Sequence, residues 1–243
     1  MSLDRRTLFA SALAAGAAGC ASARAENVAP IEPIRVPEGG VVRAAFLMDE
    51  TATMIDFAGP WETFQDAGPP NQGFDVYTVA PSAAPIITSG GMEIVPKYTL
   101  QNAPQPNVVV IPAQRGGRAD YHTNEAKVAW LRAVAPQADV VMSVCTGAFL
   151  LARTGMLDGL LSTTHFQFYD DFEAAYPTIT LVRGRRFVDN GKFISSGALT
   201  SGVDAALHVV ARYFGEADAA RVAAYMDHQS DGWRTGLRAV APA

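Results

Sequence analysis

Apolar residues in this chain fall into short, β-branched runs separated by stretches of helical periodicity. Val41 to Met48 is one such run, interrupted only by Arg43, and Phe74 to Ala80, Val108 to Ile111 and Val140 to Val144 are others. A strand that is apolar at every position must be covered on both faces, which is the setting of a parallel sheet. Between these runs, Pro60 to Ala67 predicts a helix with proline in its first turn. Asn124 to Ala135 predicts another, capped by Thr123, with Val128, Leu131 and Val134 on one face. Ile86 to Thr88 and Met92 to Val95 flank Ser89-Gly90-Gly91 as a hairpin. Farther on, Phe166 to Ala175 reads as a helix closed by Pro177. Thr180 to Val182, Arg186 to Val188 and Lys192 to Ser195 read as strands, the last two joined through Asp189-Asn190-Gly191. Thr200 to Phe214 and Glu216 to Met226 are helical. Strands alternating with helices predict a single α/β domain, a largely parallel sheet flanked by helices on both faces, over residues 41–228. Residues 26–40, with Pro30, Pro33 and Pro37, read as an extended leader, and the tail 229–243 shows no element.

The first 25 residues have a different pattern. Arg5-Arg6 precedes a mildly apolar stretch, Leu8 to Ala18, that is too short to span a bilayer. This resembles a twin-arginine export signal, and Ala23-Arg24-Ala25 offers a small-x-small cleavage site. A competing reading lipidates Cys20, but Ala17 stands where such a motif has leucine, so a periplasmic or secreted product with no stable membrane insertion is expected. The net charge of −5 and the lack of any dense basic run, Arg183, Arg185 and Arg186 being the tightest cluster, argue against a nucleic-acid partner. Of two cysteines one lies in the signal, so Cys145 has no intramolecular disulfide partner after cleavage.

Cys145 ends the Val140 to Val144 strand, and Thr146, Gly147 and a helix follow at once. A sulfur on such an elbow lies near helix amides, which predicts a lowered thiol pKa and a nucleophilic thiolate. A nucleophile also needs a group that holds its proton. Asp56, in the apolar Met54-Ile55-Asp56-Phe57 context after the first strand, reads either as a helix cap or as a carboxylate in the strand-end crevice. His165 reads either as a participant or as a hydrogen-bonded helix-start histidine. His122, His208 and His228 read as structural or exposed.

Four motifs then line up with a known family. Ile55-Asp56-Phe57-Ala58-Gly59-Pro60-Trp61-Glu62, Ser143-Val144-Cys145-Thr146-Gly147-Ala148, Gly155-Met156-Leu157-Asp158-Gly159 with Thr163-Thr164-His165, and Ser196-Gly197-Ala198-Leu199-Thr200 resemble the ThiJ/PfpI family of the class I glutamine amidotransferase-like superfamily. The likeness is to the branch of isonitrile hydratases and of AraC-type regulator sensor domains. It implies a flavodoxin-like fold, no cofactor, no metal, a small-molecule substrate and a homodimer. It makes Cys145 the nucleophile, Asp56 the proton carrier and Thr146 the residue that orients them, with His165 alongside. Gly59, Ala113 and Gln114 would face the substrate, although Pro112-Ala113-Gln114 departs from the family's usual Pro-Gly-Gly. The implied reaction is that of a lyase or hydrolase adding water to an electrophile such as an isonitrile. Three rivals are a ligand-binding sensor domain, a protein protective through oxidation of Cys145, and a peptidase or amidase using Cys145 with His165.

Overall fold

The apolar runs pair with one another as their two-sided burial requires. A computed structural model describes residues 31–114 and 124–238. The expected export signal with Cys20, the first part of the leader, His122 and Thr123 lie outside the described residues. In chain order the elements are β1 (Val41–Leu47), α1 (Met54–Gln65), β2 (Gly73–Ala80), β3 (Ile86–Ile87), β4 (Glu93–Ile94), β5 (Tyr98–Thr99) and β6 (Val108–Ile111). They continue with α2 (Glu125–Val134), β7 (Val140–Val144), α3 (Gly147–Arg153), β8 (Leu161–Ser162), α4 (Tyr169–Ala175) and β9 (Thr180–Leu181). The remainder are β10 (Phe187–Asp189), β11 (Phe193–Ser196), α5 (Ser201–Phe214), α6 (Glu216–Tyr225) and β12 (Leu237–Arg238). The main sheet has the order β12-β10-β11-β7-β6-β1-β2-β5, parallel except where β10 meets β11. β3 and β4 form the expected antiparallel hairpin.

Side chains alternate across the sheet. Val42, Ala44, Phe46, Val108, Val110, Val140, Met142 and Val144 join one core with α1, α5 and α6. Ala45, Leu47, Val109, Ile111 and Val141 join the other with α2, α3 and α4. Helix α5 is buried along nearly its whole length and packs closely on α1 and β7. A Cβ at Gly59 would come within 2.8 Å of Val203 Cγ2, and one at Gly202 within 2.8 Å of Val144 Cγ1. No described helix is long and apolar enough to cross a membrane.

The structure corrects four local expectations. Helix α1 starts at Met54, six residues before Pro60, so proline sits inside the helix. The ring costs the bond its amide would have donated to the carbonyl of Asp56, and burial of Phe57 and Phe64 outweighs that loss. The N-cap of α2 is Asn124, whose Oδ1 accepts from the Lys127 amide at 3.3 Å. The helix expected from Phe166 begins as a 3-10 turn, Phe166–Phe168, before α4. The tail, expected to be featureless, makes a 3-10 turn at Gly232–Arg234 and then adds β12 in parallel to β10. Trp233 is 1% exposed in the core beneath α5, and the leader is tied down too, with Ile34 donating its amide to the Arg212 carbonyl at 2.7 Å.

If the tail is part of the fold, removing its anchor must cost as much as a core truncation. Trp233→Ala is expected to lower the unfolding free energy by about 3–5 kcal/mol, read from the urea midpoint at constant m. A loss below about 1 kcal/mol would mean that the tail merely rests on the surface.

Candidate functional site

The loops at the carboxyl ends of β1, β6, β7 and β11 converge on one sulfur. Strand β7 stops at Val144, and Cys145 turns the chain with φ at 58°. Positive φ costs a non-glycine residue about 1–2 kcal/mol, so neighbouring contacts must hold it. They do: the Cys145 amide donates to the carbonyls of Gly197 at 2.9 Å and Ser196 at 3.1 Å. Thr164 Oγ1 donates to the Cys145 carbonyl at 2.9 Å. Gly147 lets α3 start hard against β6, since a Cβ there would lie 2.1 Å from the Ile111 carbonyl oxygen.

Asp56 approaches from α1. It occupies the third position of that helix rather than the cap, which is Thr53, so the capping reading does not hold; the carboxyl lies behind the pocket lining, against Cys145. Its side chain is fully buried; Oδ2 accepts from the Ala113 amide at 3.2 Å, and the carboxyl interacts with the Cys145 thiol. Oδ1 has no hydrogen-bond partner of good geometry among the described residues. Burial dominates, pushing the Asp56 carboxyl up to about 7 against the opposing effect of the Ala113 amide and the thiol.

The expected depression of the thiol pKa is overturned. Cys145 is pushed up to about 12, first by burial and then by the charge of Asp56, which together outweigh the amides of Thr146 and Leu199 that face the sulfur. A helix of seven residues beside a carboxylate does not compensate for the lost hydration. The two acids are a coupled pair: the first proton leaves mainly from Asp56 and the second mainly from Cys145.

The sulfur opens into a pocket of about 380 Å³ lined by Thr51, Thr53, Ser89, Ala113, Gln114, Cys145, Thr146, His165, Gln167, Phe168 and Leu199. Ala113, Gln114, Thr146 and His165 share this lining with Cys145. Gly59 does not: it packs against α5 and lies outside the lining, because its missing side chain admits Val203. Ala113 turns its amide to Asp56 rather than to the sulfur. His165 caps the 3-10 turn, its Nδ1 accepting from the Gln167 amide at 3.2 Å, and stacks on Phe166. Burial lowers its pKa, so it supplies no positive charge to Cys145 near neutral pH. His208 and His228 pair with Asp189 at 2.9 Å and Asp204 at 2.7 Å, away from the pocket. A second cavity, of about 420 Å³, opens at the amino ends of the strands around Pro37, Arg43 and Asn107, and its lining holds neither thiol nor imidazole. Among the described residues no group of three His, Cys, Asp or Glu side chains is placed to hold a metal.

Two contributors escape a reading by residue type. Leu199, with φ at 46°, supplies an amide to the sulfur and a half-exposed side chain to the pocket lining. Thr164 braces the elbow through its hydroxyl. Both stand inside motifs quoted above, Ser196-Gly197-Ala198-Leu199-Thr200 and Thr163-Thr164-His165, but neither residue type announces a backbone or hydroxyl role there.

Known proteins share this arrangement of chain. An isonitrile hydratase of Pseudomonas putida is 29% identical over 167 residues, 68% of this chain and 69% of that protein. The HTH-type transcriptional regulator GbdR of Pseudomonas aeruginosa is also 29% identical, over 175 residues, 70% of this chain but only 46% of the regulator. Among solved structures, a ThiJ/PfpI family protein from Pseudomonas syringae superposes with a TM-score of 0.71 at 25% identity, covering 81% of this chain and 78% of that one. Drosophila melanogaster DJ-1beta shares the fold, with a TM-score of 0.68 at 18% identity over 78% of this chain and all of that one. The DJ-1/PfpI family model matches residues 42–212, and the chain belongs to that family.

Proposed function

We propose that this protein is a cysteine-dependent enzyme that adds water to a small uncharged electrophile such as an isonitrile, releasing an N-substituted formamide. The observation that carries the reading is the buried Asp56 carboxyl, raised to about 7, in contact with the Cys145 thiol. Near neutral pH such a carboxyl can both give and take a proton. Among the described residues the lining carries no Asp, Glu, Lys or Arg side chain, which suits an uncharged substrate. The similarity to an isonitrile hydratase supports the same chemistry.

The sulfur forms a bond to the terminal isonitrile carbon, and that carbon takes a proton through Asp56, giving a thioimidate. Water adds to the thioimidate carbon while Asp56 accepts its proton. Asp56 passes that proton to nitrogen; the carbon–sulfur bond then breaks as the hydroxyl proton moves through Asp56 to the leaving sulfur, and the formamide departs with the Cys145 thiol regenerated. The amides of Thr146 and Leu199 stabilise negative charge on sulfur at both the attack and the departure. Thr146 acts through its backbone, and His165, neutral and held by Gln167, shapes the pocket wall. Export directed by residues 1–25 and a homodimeric assembly belong to the same proposal.

The raised thiol favours one second reading, a ligand-binding sensor domain, since a sulfur that resists ionisation is a poor nucleophile. Turnover separates the two. Cys145→Ala is expected to abolish loss of the isonitrile infrared stretch, Asp56→Asn to slow it about 10²- to 10⁴-fold, and His165→Ala to slow it less than about tenfold. Native protein that binds isonitriles but leaves them intact would decide for the sensor.

The coupled pair also predicts an unusual pH profile for alkylation of Cys145 by iodoacetamide. Loss of the first proton allows a minor tautomer, Asp56 neutral and Cys145 ionised, in constant ratio to the major one. The rate therefore climbs through a step near pH 7, levels off, and climbs again toward pH 12. In Asp56→Asn the lower step disappears, and a single rise remains at a pH below 12 because the opposing charge is gone. A single rise in the native protein would contradict the shared proton.

A further inference from the structure

Beneath the pocket wall runs a buried polar chain that the steps above leave unused. Lys127, in the first turn of α2 and 5% exposed, donates its ammonium to Gln114 Oε1 at 2.7 Å and pairs with Asp49 Oδ2 at 2.7 Å. Asp49 also accepts from Asn124 Nδ2 at 3.5 Å. With Oε1 facing an ammonium, the Gln114 amide has one permitted orientation, and its Nε2 donates to the carbonyl of Leu47 at the end of β1. Ala113, immediately before Gln114, accepts from the Thr53 amide through its carbonyl at 2.8 Å and donates its own amide to Asp56 Oδ2 at 3.2 Å.

We propose that Lys127 and Gln114 are positioning residues, which together clamp the segment Ala113-Gln114 so that the Ala113 amide stays on the Asp56 carboxyl. A desolvated ammonium is weak evidence of a stabilising device, because an apolar side chain of similar size often does as well. It does make a stiff anchor, and this one grips a residue next to the donor that Asp56 uses. The glutamine is the departure from Pro-Gly-Gly noted in the sequence, and a glycine there could make no such clamp. Lys127 itself is held below its usual pKa by burial, and the neighbouring Asp49 opposes that shift.

Among the described residues few other charges reach Asp56. Its titratable partner is Cys145, from the β7–α3 junction. From α5, Asp204 is taken up by Arg186 and His228, and His208 by Asp189. From β2, Asp75 pairs with Lys97 at 3.7 Å.

The test is the midpoint of the lower step in Cys145 alkylation by iodoacetamide. The Ala113 amide bonds the ionised carboxylate, so loosening it favours the neutral form and moves the midpoint up. Gln114→Ala, the volume-keeping Gln114→Met and Lys127→Met are each expected to raise it, by about 1 pH unit for a fully lost bond. Combining Gln114→Ala with Lys127→Met should raise it no further than the larger single change, because the two act as one unit. Lys192→Met, which removes an ammonium from the Ala135 and Pro136 carbonyls at the other end of α2, should leave it in place. If Lys127→Met fails to unfold cooperatively in urea, the two Gln114 variants decide. An unmoved midpoint in both of those, an equal shift in Lys192→Met, or no lower step in the native protein would overturn the proposal. It builds on Asp56 as the proton holder, yet the readout needs no turnover. A native protein that shows the step but hydrates no isonitrile would end the functional reading and leave the positioning role standing.

Discussion

One desolvated contact, the Asp56 carboxyl against the Cys145 thiol, is the constraint around which the strand-end loops are arranged. Two acids removed from water cannot both ionise cheaply, since each charge loses hydration and meets the other in a medium of low polarisability. The result at neutral pH is a pair that keeps one to two protons and exchanges one of them readily. Three structural features serve it directly. The elbow at Cys145 brings the sulfur over the end of the sheet, the entry into α1 points the carboxyl inward, and the β6 loop turns the Ala113 amide onto that carboxyl.

The elbow shows how the cost of a strained residue is distributed. A positive φ at Cys145 disfavours the turn by about 1–2 kcal/mol. A bifurcated amide bond to Ser196 and Gly197, and the Thr164 hydroxyl on the carbonyl, are together of that order or larger. Those contacts come from β11 and from the segment after β8, which do not neighbour the elbow in sequence. The strain is thus tolerated only once the right half of the sheet, β7-β11-β10, has formed. The tail tightens the same half, for β12 extends it beside β10 and Trp233 fills the core under α5.

Much of this was legible beforehand because it rests on strong, repetitive signals. Two-sided apolar runs place β1, β2, β6 and β7 within a residue of their observed ends, and the Cys145-Thr146-Gly147 sequence announces the elbow. β5, β8 and β12 have two residues each and, unlike the equally short β3 and β4 around Ser89-Gly90-Gly91, no hairpin signal to mark them; they exist because a neighbouring strand offers an edge. Pro60 misled because its favoured place in a first turn is a local preference, whereas α1 is fixed by the burial of Phe57 and Phe64. Which residues gather round the sulfur was easier to read than their electrostatics. Residue types identify Cys145, Asp56, Thr146 and His165, but a pKa depends on hydration, and hydration is set by the closing of the whole pocket. Gly59 failed for a related reason: a glycine in a motif can mark a close helix contact as well as a ligand's approach.

The same pair explains how one family fold can suit both a catalyst and a sensor. The proposed reaction needs the tautomer in which Asp56 is neutral and Cys145 is ionised. Its population is set by the gap between the two single-proton losses, at about 1.4 kcal/mol for each pH unit of separation. Amides aimed at the sulfur narrow that gap, and the Ala113 amide, aimed at the carboxylate, widens it. An electrophile draws the minor tautomer forward by consuming it, whereas a ligand that only fills the pocket leaves the proton on sulfur. Whether such a chain catalyses or merely binds therefore rests on the placement of a few backbone donors, more than on possession of the cysteine. Substitutions that move those donors, without touching Cys145 or Asp56, are where the two functions can diverge.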